Sequence, residues 1–265
     1  MHDTLSSLVE RALTGNQRPL EFYLRENSRL SGARANLELA NDVGYLLAAS
    51  LARHPDTVRS LISHFVNGGQ KNGTSNATSE FVTLCGIIAS GACAAVEATW
   101  RADTFDLIYC HTSSPYWRVR EGIAIAYQHL LTAVPEETAE RLVSLAREGN
   151  YFQQCAAITA IAEAPMLYIS DVLRTALHLQ RIVLERLHDA PLSVRKGEDF
   201  RALRRTSGYT LSVITAAAPE QGFALMRECA TWNDADIIWV LRENLKKKRL
   251  AKFVEDTRAV FSLLA

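Results

Sequence analysis

The feature that most constrains this chain is the spacing of its apolar residues. Leu37, Ala40, Val43, Gly44 and Leu47 fall at i, i+3, i+6, i+7 and i+10. Val119, Ile123, Ala126, Tyr127 and Leu130 keep a similar spacing, and Leu173, Leu177, Ile182, Leu184 and Leu187 continue the theme. That period lays one apolar face along a helix, whereas the alternation of a half-buried strand is nearly absent. Breakers interrupt the pattern at short intervals (Gly15, Pro19, Gly32, Pro55, Gly68-Gly69, Pro115, Pro135, Gly149, Pro165, Pro191, Gly197, Pro219). They leave segments of ordinary globular helix length, about thirteen helices in all. The expected class is all-α.

Two segments resemble each other. AVPEETAERLVSLAREGNYFQQCAAITAIAEA begins at Ala133 and AAPEQGFALMRECATWNDADIIWVLREN at Ala217. Aligning Pro135 with Pro219 pairs Glu136 with Glu220, Leu142 with Met226 and Ala146 with Ala230. In both, proline opens a first helix, its lost N–H costing nothing there. A polar turn follows, Glu148-Gly149-Asn150 or Asn233-Asp234, and Asn or Asp suits the cap of the next helix. The repeating unit is thus a helix–turn–helix that buries its apolar face by stacking on its neighbours. Two stretches read as insertions: the polar, Gly/Asn-rich loop at 67–79 and a connection at 189–199.

Charge and composition exclude several classes. Lys+Arg and Asp+Glu number 29 each, so no whole-molecule field draws the chain to nucleic acid or an anionic membrane. The five cysteines form no CxxC pair and lie in apolar helical context, which favours reduced, buried thiols and a cytoplasmic setting. The N-terminal MHDTLSSLVERALTG carries acids and no long apolar core, unlike a signal peptide. The uncharged window from Phe81 to Val96 is rich in small residues and reads as a buried helix, so no membrane association is expected. GxGxxG, GxxxxGK[ST], HExxH and GxSxG are all missing, and the histidines are scattered without ligand spacing. No metal and no small-molecule cofactor is therefore expected.

SPYWRVREGIAIAYQHLL, from Ser114, resembles the second helix of a HEAT repeat: a polar turn, a Val-Arg pair at Val119-Arg120, small residues at Ala124 and Ala126, and a closing Leu130. DADIIWVLRENL, from Asp234, fits the same frame with Ile237-Ile238 at the Val-Arg positions, and SGARANLELANDVGYLL, from Ser31, fits it loosely. The resemblance implies a single right-handed α-α superhelix over residues 1–265 that binds a protein partner through its concave surface, without catalysis. It also implies that Arg120 aligns neighbouring repeats and that Trp117 packs as an apolar plug at the turn.

A narrower resemblance is to the DNA-alkylation-repeat proteins, HEAT-like alkylpurine DNA glycosylases that present tryptophans and a catalytic aspartate in a basic groove. It rests on Trp232, Asp234, Asp236 and Trp239 beside a basic helix, and implies duplex DNA as an alternative partner. Asp234 and Asp236 are then the catalytic candidates, although both sit where helix caps belong. The candidate binding residues are Trp117, Arg118, Arg120, Arg201, Arg204, Arg205, Trp239, Arg242, Lys246 and Arg249. Cations beside stacking aromatics are what a nucleic-acid groove needs. On a helix running from Asp236 through Lys252, Trp239, Arg242, Lys246 and Arg249 would form one stripe.

Overall fold

A computed structural model describes residues 2–30, 35–68, 77–114 and 116–264. Its described residues form fourteen α-helices and three short 3₁₀ turns, with no strand. The chain divides into two compact units, Met1–Val134 and Pro135–Ala265.

The first unit holds α1 (His2–Leu13), α2 (Arg18–Glu26), α3 (Leu37–Ser50), α4 (Pro55–Gly68), α5 (Ala77–Val96), α6 (Arg101–His111) and α7 (Trp117–Ala133). Helix α5 is its hub, flanked by α3, α4 and α7. Phe81, Leu84, Cys85, Ile87, Ile88 and Cys93 are sealed from solvent, and each large apolar side chain so buried contributes about 1.5–3 kcal/mol. The small residues of α5 set how closely its neighbours approach. A Cβ on Gly91 would lie 2.6 Å from Ala126 Cα of α7, and one on Gly122 of α7 would lie 3.0 Å from Leu84 Cγ. The seam between α5 and α7 therefore requires glycine at position 91, and a side chain at position 122 would press on Leu84. Residues 79–96 are long and apolar enough to cross a membrane, but they are mostly buried inside this unit. That is the buried helix expected of the uncharged window.

The second unit holds α8 (Pro135–Glu148), α9 (Tyr151–Ile161), α10 (Ser170–His188), α11 (Glu198–Ala217), α12 (Pro219–Ala230), α13 (Ala235–Leu245) and α14 (Val254–Leu263). Its helices alternate between two layers. α9, α11 and α13 lie side by side in one, and α8, α10, α12 and α14 in the other. Local chemistry sets the boundaries. Pro135 and Pro219 open α8 and α12. Asn150 caps α9 in a reciprocal box with Gln153, and Asp234 caps α13 by accepting from the Asp236 and Ile237 amides. Asn233, just before that cap, turns the chain with φ +52°. A buried polar bridge locks α13 to α11: Asn244 Nδ2 donates to the Ser207 carbonyl at 2.8 Å, and its Oδ1 accepts from the Ser212 amide at 2.7 Å.

Three expectations need correction. The polar loop at 67–79 is shorter, because Asn67 belongs to α4 and residues 77–79 to α5; residues 69–76 lie outside the described residues. Ser79 is anchored, its hydroxyl accepting from Arg25 Nη1 at 3.0 Å. The second concerns the C-terminal basic run, which is not one helix: α13 ends at Leu245, and Arg249 sits in a separate turn, Lys248–Leu250. The third concerns the cysteines. All five are free, but Cys110 is exposed on α6 while Cys85, Cys93, Cys155 and Cys229 are buried. The segment at 189–197 is a connection, running from the end of α10 to the start of α11.

Candidate binding surfaces

At the head of α7, Trp117 is 44% exposed and does not plug the core. Its ring instead carries the Arg118 guanidinium at 4.7 Å. Arg118 also pairs with Glu80 of α5 at 3.3 Å, both side chains largely buried. Arg120 Nη1 donates to the Ser114 carbonyl, tying α7 to the turn that precedes it. Arg118 and Arg120 thus hold neighbouring segments together, leaving Trp117, Tyr116 and Tyr109 as the exposed aromatics of this end of the first unit.

In the second unit, the sequence-nominated aspartates meet a residue from the 189–197 connection. Arg195 Nη1 donates to Asp234 Oδ2 at 2.6 Å and to Asp236 Oδ2 at 3.0 Å. Its Nε and Nη2 donate to the Ala190 and His188 carbonyls at 2.9 and 2.8 Å. One guanidinium thereby satisfies carbonyls at the C-terminal end of α10 and carboxylates at the N-terminal end of α13, matching both helix dipoles. Asp236 Oδ1 lies 2.8 Å from Arg204 Nε, and the Arg204 guanidinium covers the Trp239 ring at 4.1 Å. The His188 ring lies tilted against Trp232 at 5.1 Å between centroids, with Nδ1 4.0 Å from Asp234 Oδ2.

This geometry fixes protonation. Burial raises the Asp234 carboxyl, but the hydrogen bonds from Arg195 and the α13 amides outweigh it and hold the group below the ordinary aspartate range. The same hydrogen bond to Asp234 holds the Arg195 guanidinium above its usual value. A carboxylate kept ionised, with its lone pairs engaged by amides and a guanidinium, is a weak proton acceptor. The local arrangement suits Asp234 to capping and Asp236 to pairing. Sequence alone places Arg195 in a basic run; only the fold sets it between two aspartates some forty residues away.

The outer face of α11 carries Arg201, Arg205 and Tyr209 at successive turns, all exposed. Arg205 pairs with Glu198 at 2.5 Å, and the Tyr209 hydroxyl lies 3.5 Å from Thr159 Oγ1 on α9. Trp239 leans toward Gly208, so α13 continues this face. Arg242 lies on α13 and Lys246 just past its end, but both are engaged: Arg242 Nη2 donates to the Leu264 carbonyl at 2.6 Å, and Lys246 pairs with Glu243 at 2.5 Å. Arg201, Arg204, Arg205, Trp239 and Arg242 are thus carried by α11 and α13, Lys246 follows the end of α13, and Arg249 lies in the separate turn that packs against α11.

Among the described residues no group of three His, Cys, Asp or Glu side chains could hold a metal. Burial pushes the Cys93 and Cys229 thiols up to about 12, so neither supplies a thiolate near neutrality. No family model matches the chain. No curated protein matches it either. Among solved structures, an engineered protein is similar to it at 14% identity over 91% of this chain and 97% of that one, with a TM-score of 0.32.

Proposed function

We propose that this chain is a HEAT-like helical-repeat protein acting as a non-catalytic module that binds a protein partner through the α9–α11–α13 layer of its second unit. The two-layer alternation of helices there supports the repeat reading. The observation that carries the functional reading is the α11 face itself. Exposed Arg201, Arg205 and Tyr209 run along it beside Glu198, with Trp239 adjoining. Tyr, Trp and Arg are the side chains that dominate protein–protein hot spots, and mixed charge suits a protein surface better than a phosphate backbone. The two aspartates beside this face are engaged by Arg195 and Arg204, which leaves the glycosylase reading without a free carboxylate. Four buried free thiols accord with a reducing, cytoplasmic setting.

The test has two arms. A photo-crosslinking phenylalanine at position 209 should capture a discrete protein that rebinds the purified parent chain, while the same group at Gln221, exposed on α12 in the other layer, captures none. Duplex DNA should bind only weakly at physiological salt. Binding of DNA with a steep salt slope that Arg201→Ala and Arg205→Ala together flatten would overturn the proposal in favour of the nucleic-acid reading.

A further inference from the structure

The last helix carries a surface that no part of the foregoing uses. Val260 of α14 and Leu264 just past its end are buried, and Phe253 meets Phe223 of α12 edge-on at 5.7 Å. The opposite side of α14 is open. Ala251, Val254, Thr257, Arg258 and Phe261 line a recess of about 360 Å³. Val254 and Phe261, two turns apart, remain 55% and 42% exposed. An apolar recess left in water is what a docking site looks like before its ligand arrives.

A second observation gives the ligand a sign. Five cations, Lys246, Lys247, Lys248, Arg249 and Lys252, lie in the seven residues leading into α14. Glu243 draws the first two. Lys252 sits over the Phe253 ring at 4.9 Å. The Lys248 and Arg249 side chains are exposed and make no ion pair or hydrogen bond among the described residues. The acids of α14 are already used: Glu255 by Arg258 at 3.5 Å, and Asp256 by Arg227 at 3.1 Å. Uncompensated positive charge therefore lies at one end of the recess.

Resting on the reading of the chain as a protein-binding module, we infer that the α14 recess docks an acidic amphipathic segment of a protein partner. Two apolar side chains about two turns apart fill the space between Val254 and Phe261, and carboxylates at one end of the segment meet Lys248, Arg249 and Lys252. A lipid bilayer fits less well: the apolar atoms are recessed, and the highly exposed Glu255 would face anionic headgroups. A nucleic-acid backbone has no apolar side chains to fill the recess.

The experiment uses the full chain and a fluorescein-labelled acidic helical peptide with Leu and Phe at i, i+4 and i+7 and Glu elsewhere. Two companions replace the Leu and Phe by Ser, or the Glu by Lys. Anisotropy should show binding of the acidic amphipathic peptide and at least tenfold weaker binding of both companions. The pair Lys248→Glu and Arg249→Glu should weaken binding at least tenfold, and so should Phe261→Ser or, should that variant melt early by circular dichroism, Val254→Ser. No binding up to about 1 mM, the edge of specific affinity, overturns the inference, as does binding that these variants leave unchanged. Co-sedimentation with phosphatidylserine vesicles lost in the charge-reversal pair would assign the surface to a membrane instead. If the peptide fails while position 209 still crosslinks its partner, this inference falls and the binding-module reading stands.

Discussion

Arg195 and Asp234 are joined at 2.6 Å with both side chains largely buried, and the pair closes the connection after α10 onto the start of α13. Removing one partner of such a pair leaves the other charge desolvated and alone. Arg195→Ala should lower unfolding free energy by about 3 kcal/mol, because two carboxylates and two carbonyls lose their donor together. Arg195→Lys should recover little, since an ammonium cannot serve four acceptors in a fixed fork. Urea denaturation of the two variants checks this, and equal stability to the parent would contradict it.

The same pair predicts an acid limb. Asp234 and Glu21 are held below their ordinary values; for Glu21, burial pushes upward but the hydrogen bonds from His64 and Arg25 prevail. A carboxyl depressed in the folded state stabilises it fully above the unfolded value, about 4, and loses that contribution as pH falls through the folded value. Unfolding free energy should therefore decline below about pH 4. Asp234→Asn should be less stable at neutral pH and show a shallower decline. A parallel decline would mean that Asp234 does not carry this dependence.

At the α5–α7 seam, Gly91→Ala places a Cβ against the Ala126 backbone, which a side-chain rotation cannot relieve. The helices must separate, at a cost of about 1–3 kcal/mol. Thermal melting should register a clear drop, whereas Gly15→Ala, where a Cβ meets no neighbour but the backbone is left-handed at φ +101°, should cost only the strain of that conformation.

Arg120→Ala should cost about 1–3 kcal/mol by freeing the Ser114 carbonyl, with binding by the folded protein unchanged. Lost binding at full stability would make Arg120 a contact residue instead of a structural one.

The triple change Arg242→Ala, Lys246→Ala and Arg249→Ala separates the readings of the basic region. Two of these cations are engaged within the second unit and the third lies off α13. Any residual DNA binding should keep its salt slope. Three lost phosphate contacts would flatten the log–log slope by about 2–3.

Helical content, the proline starts of α8 and α12, the caps at Asn150 and Asp234, and the buried character of α5 were all legible in the sequence, because each follows from short-range periodicity or turn chemistry. The stripe through Arg249 failed for a local reason: three residues of turn after Leu245 break the helix, and a run of Lys and Arg, all good helix formers, does not announce it. Trp117 was misplaced because an aromatic at a helix head reads the same whether it is buried or covered by an arginine. The partners of Arg195 and Arg118 lie some forty residues away, beyond any spacing rule. The α14 recess left a faint trace, Val254 and Phe261 at helical period, but nothing in the sequence says that no other element covers them.

The close packing of α5 has a consequence for biosynthesis. Its apolar face is finished only when α7 arrives, and the ribosome must add the residues from Glu97 to Ala133 first, roughly 2–7 s at ordinary elongation rates. Once α5 has left the exit tunnel, the side that α7 covers stays open for that interval, until α7 follows it out. Chaperone demand during synthesis should therefore peak at this helix, and slower translation past Val96 should favour aggregation over folding.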